Sequence, residues 1–130
     1  MSFLEGLLWL TLNIYHEARS EPEIGQLAVA HVTINRANQR HKSISEIVTE
    51  PYQFSWTFQK NTRMPTELEA LQASVSAALK ALTTPDFTTG STFYHRQDIS
   101  PKWVPHMKFV AQYGSHKFYR NRLSAAKKQP

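Results

Sequence analysis

The segment from Phe3 to Ala18 is the strongest constraint on this chain. Leu7, Leu8, Trp9, Leu10, Leu12 and Ile14 leave a helix drawn over residues 3–18 apolar on nearly all sides, the pattern of a helix at the centre of a core. The run is shorter than the roughly 20 residues of a membrane span. It is not expected to be an export signal either: no Lys or Arg precedes it, Glu5 interrupts it, and no small-residue cleavage site follows. The rest of the chain is therefore expected to wrap around it.

Helix punctuation divides the chain beyond Ala18. Ser20 and Glu23 form a capping-box pattern with Pro22 in the first turn, opening a helix over about 21–38 with Ile24, Leu27, Ala28, His31 and Ile34 on one face. Ser43 and Glu46 repeat the pattern before a short helix that Pro51 ends. Thr66 and Glu69 repeat it again before Leu68, Leu71, Val75, Ala78, Leu79 and Leu82, whose spacing predicts a helix up to Thr84-Pro85. Between these, residues 52–65 form an aromatic-rich connection of a length that is often functional. After residue 85 the texture turns to strand. Ser91–His95 is β-like, and 109–113 with 116–119 flank Gly114-Ser115 as a hairpin. The expected fold is α+β, an α-rich lobe followed by a small antiparallel β-containing lobe. Residues 1–122 read as a single domain and 123–130 as a basic C-terminal tail.

The 130 residues include no cysteine, so disulfides and thiolate metal sites are excluded. The net charge of +5 favours polyanions: nucleic acid, a membrane surface, or the acidic polymers of a bacterial envelope. No predicted helix carries a Lys/Arg stripe, which argues against a basic nucleic-acid-binding module.

Glu17 is a candidate for acid chemistry on position alone. Ile14, Asn13 and Leu10 stand three, four and seven residues behind it, so its carboxyl lies along an apolar stripe. It also falls in the last helical turn, where unpaired carbonyls make the field negative. Both effects raise a carboxyl pKa, as a general acid near neutral pH requires. An inert glutamate is also tolerable there, so position leaves both readings open.

The segments Tyr15-His16-Glu17-Ala18-Arg19-Ser20-Glu21-Pro22, Gly25–Ala30 and Asn35-Arg36-Ala37 come first in an ordered set. Pro51–Trp56, Phe93-Tyr94-His95 and Gly114–Tyr119 complete it. Together they resemble the SleB-type cell-wall hydrolases, which include spore-cortex-lytic enzymes and phage endolysins. His16 and Ser20 stand where that family commonly has glycine, and Phe54-Ser55-Trp56 is one residue shorter than its Phe-Ser-Cys-Trp run. The resemblance implies a lysozyme-like fold and cleavage of the glycan strand between N-acetylmuramic acid and N-acetylglucosamine. It implies a lytic transglycosylase whose catalytic acid, the glutamate of Glu-Ala-Arg, matches Glu17. It brings neither cofactor nor metal. In that reaction one carboxyl protonates the leaving oxygen and then acts as base toward the sugar's own 6-hydroxyl, leaving a 1,6-anhydro end.

A muramidase-type hydrolase would need a second carboxylate. Glu23, Glu46 and Glu69 are read as caps, Glu67 opens a helix, Glu5 lies three turns from Glu17, and Glu50 and Asp86 adjoin prolines. Glu21 and Asp98 remain, and a helix first turn suits Glu21 as a structural residue. For sugar rings and hydroxyls, Tyr52, Gln53, Ser55, Trp56, Tyr94, His95 and Tyr119 supply aromatic faces and polar groups, and His116 follows a turn that could reach the cleft. Phe54, Phe93 and Phe118 read as core. A zinc amidase or endopeptidase is the competing enzyme class. However, Ser20 breaks His-Glu-x-x-His after His16-Glu17, and no other His pair has helical ligand spacing. The expected partner is peptidoglycan, with other anionic envelope polymers drawn by charge; neither nucleic acid nor membrane insertion is expected, and the chain reads as a monomer. The missing export signal and the likeness to endolysins place the expected enzyme in the cytoplasm of an infected bacterial host before release to the wall.

Overall fold

The computed structural model describes residues 2–51, 53–58 and 64–122. Tyr52 and the basic tail 123–130 lie outside the described residues. Four helices come first: α1 (Phe3–Ala18), α2 (Glu23–Arg40), α3 (Ile44–Val48) and α4 (Leu68–Thr83). Three strands complete the fold, β1 (Phe93–Arg96), β2 (Met107–Tyr113) and β3 (His116–Asn121), in one antiparallel sheet of order β1-β3-β2. This is the expected α-rich lobe and small β lobe.

The central-helix expectation for α1 holds over its second half, where Leu10 to Tyr15 are buried or half-buried and Trp9 and Leu12 pack against Val48, Phe54 and Trp56, and fails at its start. Leu10 and Ile14 are fully buried against Ala30 of α2 and Ala77, Ala78 and Ala81 of α4. Phe3, Leu4 and Leu8 are exposed, Leu4 by 74%. The reason lies in α4, which turns small residues (Ser74, Ala77, Ala78, Ala81) toward its neighbours. Small residues let the helices approach closely, and the larger Leu68, Val75 and Leu79 stay outside. They leave an apolar groove on the surface bordered by Leu4, Leu8, Leu71 and Val75.

Of the three capping boxes, one forms. Glu46 N–H donates to Ser43 Oγ at 3.1 Å and Ser43 N–H to Glu46 Oε1 at 2.9 Å. The box expected at Ser20 and Glu23 is absent, because α2 starts at Glu23 behind Pro22 with no side-chain cap. The box at Thr66 and Glu69 is also absent. There the amides of Thr66 and Glu67 donate instead to the Tyr15 hydroxyl at 3.1 and 3.0 Å. A tertiary partner has replaced the local one.

The hairpin turns at Gly114-Ser115 as expected, with Gly114 at φ +63°, where glycine carries no Cβ penalty. The β1–β3 register pairs Phe93 with Tyr119, Tyr94 with Phe118, His95 with Lys117 and Arg96 with His116. Alternation then sets the two faces of the sheet. Tyr94, His116 and Phe118 share the face toward the helices, where Phe118 packs on Ala18, Ala28, Val29 and Val32. Phe93, His95, Lys117 and Tyr119 take the other face.

Candidate active site

Glu17 occupies the last turn of α1, half-buried, and Tyr94 of β1 donates its hydroxyl proton to Glu17 Oε1 at 2.7 Å. Burial raises the carboxyl pKa of Glu17 and outweighs the opposing effects of the Tyr94 hydrogen bond and the Arg36 charge. The direction is the one expected from sequence. Its cause is burial beside the sheet, which reinforces the reading from the apolar stripe. The Tyr94 hydroxyl is held well above its ordinary range by burial and by the neighbouring Glu17 charge, so it remains a donor.

Arg36 is the residue that sequence reasoning missed. It is 9% exposed on α2 and donates to Thr92 O at 2.7 Å and Gln53 Oε1 at 3.1 Å. Its guanidinium lies 5.3 Å from the Phe93 ring centroid and 5.7 Å from that of Phe54. The planar fork thus ties α2 to the start of β1 and to the aromatic connection, while its charge faces Glu17 and Tyr94. A lone arginine among Val29, Val32 and Ala37 was the available signal, because a buried cation needs partners.

Arg19 of the Glu-Ala-Arg segment has a different place. Its guanidinium stacks 4.7 Å over the Tyr15 ring and its Nε donates to Glu67 Oε2 at 2.8 Å. It straps the end of α1 to the start of α4.

The remaining sugar-contact candidates separate. Gln53 is exposed and held by Arg36, and Ser55 is exposed at the start of a single 3-10 turn over Ser55–Phe58. Trp56 is a correction: at 4% exposure it offers no face to a sugar. Its indole N–H donates to Asn13 Oδ1 at 2.9 Å, and its ring stacks on His16 at 4.5 Å. Asn13, fully buried, also bonds Thr33 Oγ1. The polar handle that suggested a cleft is satisfied inside the core instead.

His95 and Tyr119 lie on the sheet face away from Tyr94, with His95 Nε2 and the Tyr119 hydroxyl 2.8 Å apart. The structure does not bring them to Glu17; strand alternation separates residues that are adjacent in the motif Phe93-Tyr94-His95. They gather around Trp103, whose ring centroid lies 5.2 Å from that of Tyr119 and 5.6 Å from that of His95. His116 faces the helices but is turned toward Glu21, its Nδ1 3.6 Å from Glu21 Oε1.

Neither candidate second carboxylate joins Glu17. Asp98 is exposed beyond β1 and pairs with Arg96 at 3.2 Å. Both oxygens of Glu21 accept from Ser115 of the hairpin turn. Burial opposes the Glu21 charge, and the Ser115 bonds overcome it, holding its carboxyl below the usual range. An anion held by donors of its own is a poor proton donor. Asp86, which adjoins Pro85, closes its own turn through Thr88 and Gly90. Among the described residues no three His, Asp or Glu side chains converge as a metal site would require, and no helix is long and apolar enough to cross a membrane.

Four helices packed against a small three-stranded antiparallel sheet, with a glutamate at the end of the first helix bonded to a tyrosine of the sheet, form a lysozyme-like fold. The family model described as Cell Wall Hydrolase matches residues 20–119, and the chain belongs to that family. The match begins three residues beyond Glu17. Among curated proteins, a spore cortex-lytic enzyme of Halalkalibacterium halodurans is 32% identical over 108 residues, covering 81% of this chain. This chain spans 32% of that relative, about a third of its length. The catalytic domain of the germination-specific lytic transglycosylase SleB from Bacillus anthracis superposes with a TM-score of 0.77 at 26% identity, over 92% of this chain and 97% of that one. The catalytic domain of Bacillus cereus SleB gives 0.74 at 26%, over 89% and 91%.

These relatives overturn the expected setting in an infected host's cytoplasm. They are a spore cortex-lytic enzyme and a germination-specific lytic transglycosylase, not phage endolysins. The expectation leaned on a missing export signal, and a chain spanning a third of its relative does not carry that inference.

Proposed function

We propose that this chain is the catalytic part of a peptidoglycan lytic transglycosylase, with Glu17 as its acid and then its base. One observation carries the reading. Glu17 is a half-buried carboxyl with raised pKa, and the groups acting on it are a tyrosine hydroxyl and an arginine, with no carboxylate among them. Double-carboxylate glycosidases need a second carboxyl within about 5–9.5 Å. Here the two sequence candidates are committed to Ser115 and Arg96. The activities for which the relatives are named, cortex lysis and lytic transglycosylation, agree with this reading.

In this mechanism the protonated Glu17 gives its proton to the oxygen between N-acetylmuramic acid and N-acetylglucosamine as that bond breaks. The carboxylate left behind accepts the proton of the muramyl 6-hydroxyl, which closes onto C1 as a 1,6-anhydro ring. The Tyr94 hydroxyl and the Arg36 charge stabilise the carboxylate between these two transfers. Gln53 and Ser55, exposed beside Arg36 and Trp56, are the residues we assign to sugar hydroxyls or N-acetyl amides. The test is mass spectrometry of glycan fragments from purified peptidoglycan. Anhydro ends from the parent and no fragments from Glu17→Gln are expected; reducing ends carrying added water would replace the transglycosylase with a hydrolase.

A further inference from the structure

Behind Tyr94 lies a second buried polar cluster, built from Glu21, Ser115 and His116. Glu21 Oε1 accepts from the Ser115 amide at 2.7 Å, and Oε2 accepts from the Ser115 hydroxyl. His116 Nδ1 faces Oε1 at 3.6 Å, just beyond hydrogen-bond distance, and has no hydrogen-bond partner. The side chains of Glu21 and His116 are 9% and 7% exposed. The backbone is shaped around this carboxylate by two glycines. A Cβ at Gly114 would stand 2.3 Å from Glu21 Oε1, and one at Gly25 would stand 3.3 Å from it.

A buried carboxylate costs stability unless it is paired, and a helix start could be capped more simply by Ser20. Glu21 instead ties the α1–α2 junction to the β2–β3 turn, 94 residues along the chain. What that turn controls is Tyr94. Strand β1 is an edge strand whose sheet partner is β3. The Tyr94 ring rests edge-on against His116 at 5.3 Å and tilted against Phe118 at 5.5 Å, both residues of β3. The position of β3 therefore sets the position of Tyr94. The tie is anchored four residues beyond Glu17, so the path from Glu17 through Glu21, Ser115, His116 and Tyr94 returns to Glu17. The charged groups facing this ring are Arg96 and His95 near His116, and Arg36 near Glu17 and Tyr94.

We propose that Glu21 is a positioning residue: its bonds to Ser115 and its contact with His116 hold the Tyr94 hydroxyl at hydrogen-bond distance from Glu17. The proposal rests on Glu17 being the acid. It differs from a plain stability clamp in predicting that the effect of Glu21 passes through Tyr94.

A double-mutant cycle in wall lysis separates the two. Glu21→Gln and Tyr94→Phe should each lower kcat, by about tenfold, with KM nearly unchanged. Each should also move the alkaline limb of the pH profile upward, since each weakens the hydrogen bond that stabilises the Glu17 carboxylate. The double variant should be no slower than Tyr94→Phe alone. Losses that multiply, or a Glu21→Gln that changes only the melting temperature, overturn the proposal. If Glu21→Gln does not fold, Ser115→Ala runs the same cycle with one bond removed. Glu17→Gln is measured alongside. Activity in that variant would overturn the acid reading and this proposal together, whereas multiplying losses with an inactive Glu17→Gln overturn the proposal alone.

Discussion

Tyr94 and Glu17 are 77 residues apart in sequence and 2.7 Å apart in space, and their hydrogen bond joins the β lobe to the end of α1. Burial raises the Glu17 pKa, and this bond partly offsets the rise. Removing the hydroxyl in Tyr94→Phe should therefore raise it further, so the alkaline limb of activity moves to higher pH while kcat falls. The stability consequence has a defined sign. A carboxyl whose folded pKa exceeds its unfolded value near about 4.3 destabilises the fold once ionised. That cost is absent below the unfolded value and complete above the raised folded one. Tyr94→Phe should lose more stability at pH 8 than at pH 4, and Glu17→Gln should remove this pH dependence. Thermal melts of both variants across that range check the two signs.

Arg36→Lys tests the buried fork. Lysine keeps the charge but cannot reach Thr92 O and Gln53 Oε1 with one planar group. Loss of a hydrogen bond made by a charged group costs about 1.5–3 kcal/mol. The variant should melt lower and also lose activity, because the aromatic connection and β1 both lean on this side chain. A melt unchanged from the parent would show that the fork is dispensable.

Trp56→Phe separates core from cleft. The substitution keeps most of the buried ring but strands Asn13 Oδ1, which should cost about 1–3 kcal/mol. Affinity for peptidoglycan, measured by sedimentation with the Glu17→Gln protein as background, should not change. Weakened binding at unchanged stability would return Trp56 to the cleft.

Gly114→Ala should be strongly destabilising. The position has φ +63°, and the added methyl would meet Glu21 Oε1 and Pro22. Strain of about 1–3 kcal/mol at the backbone adds to displacement of the carboxylate. Denaturant unfolding of this variant against the parent gives the number.

The helices were readable from sequence because apolar spacing and punctuation act locally; α1, α2 and α4 lie within a few residues of their expected bounds. Two capping boxes failed where other groups outcompeted the local ones, Tyr15 at α4 and Pro22 at α2. The buried face of α4 was hidden because its leucines dominate any hydrophobic count, whereas alanines allow the close packing. At the site, Glu17 was visible from its helix-end position and Tyr94 from its hydroxyl. Arg36 was not, since its partners are a carbonyl and an amide brought close only by the fold. His95 and Tyr119 were grouped with Tyr94 for their aromatic faces and polar groups, and strand alternation puts them on the other face of the sheet.

The β1–β3 register has one further consequence. Four residue pairs define it, and Tyr94 lies on the helix-facing side with Phe118 directly opposite. Deleting or inserting a single residue between Thr92 and Tyr94 would turn the phenol outward and bring its neighbour on β1 to Glu17. Point changes along β1 alter one contact, but a change in length exchanges the whole face. The distance in residues from Thr92, whose carbonyl Arg36 holds, to Tyr94 is therefore constrained more tightly than the residue that fills position 93. Homologous chains that keep the Tyr94–Glu17 contact should conserve the count.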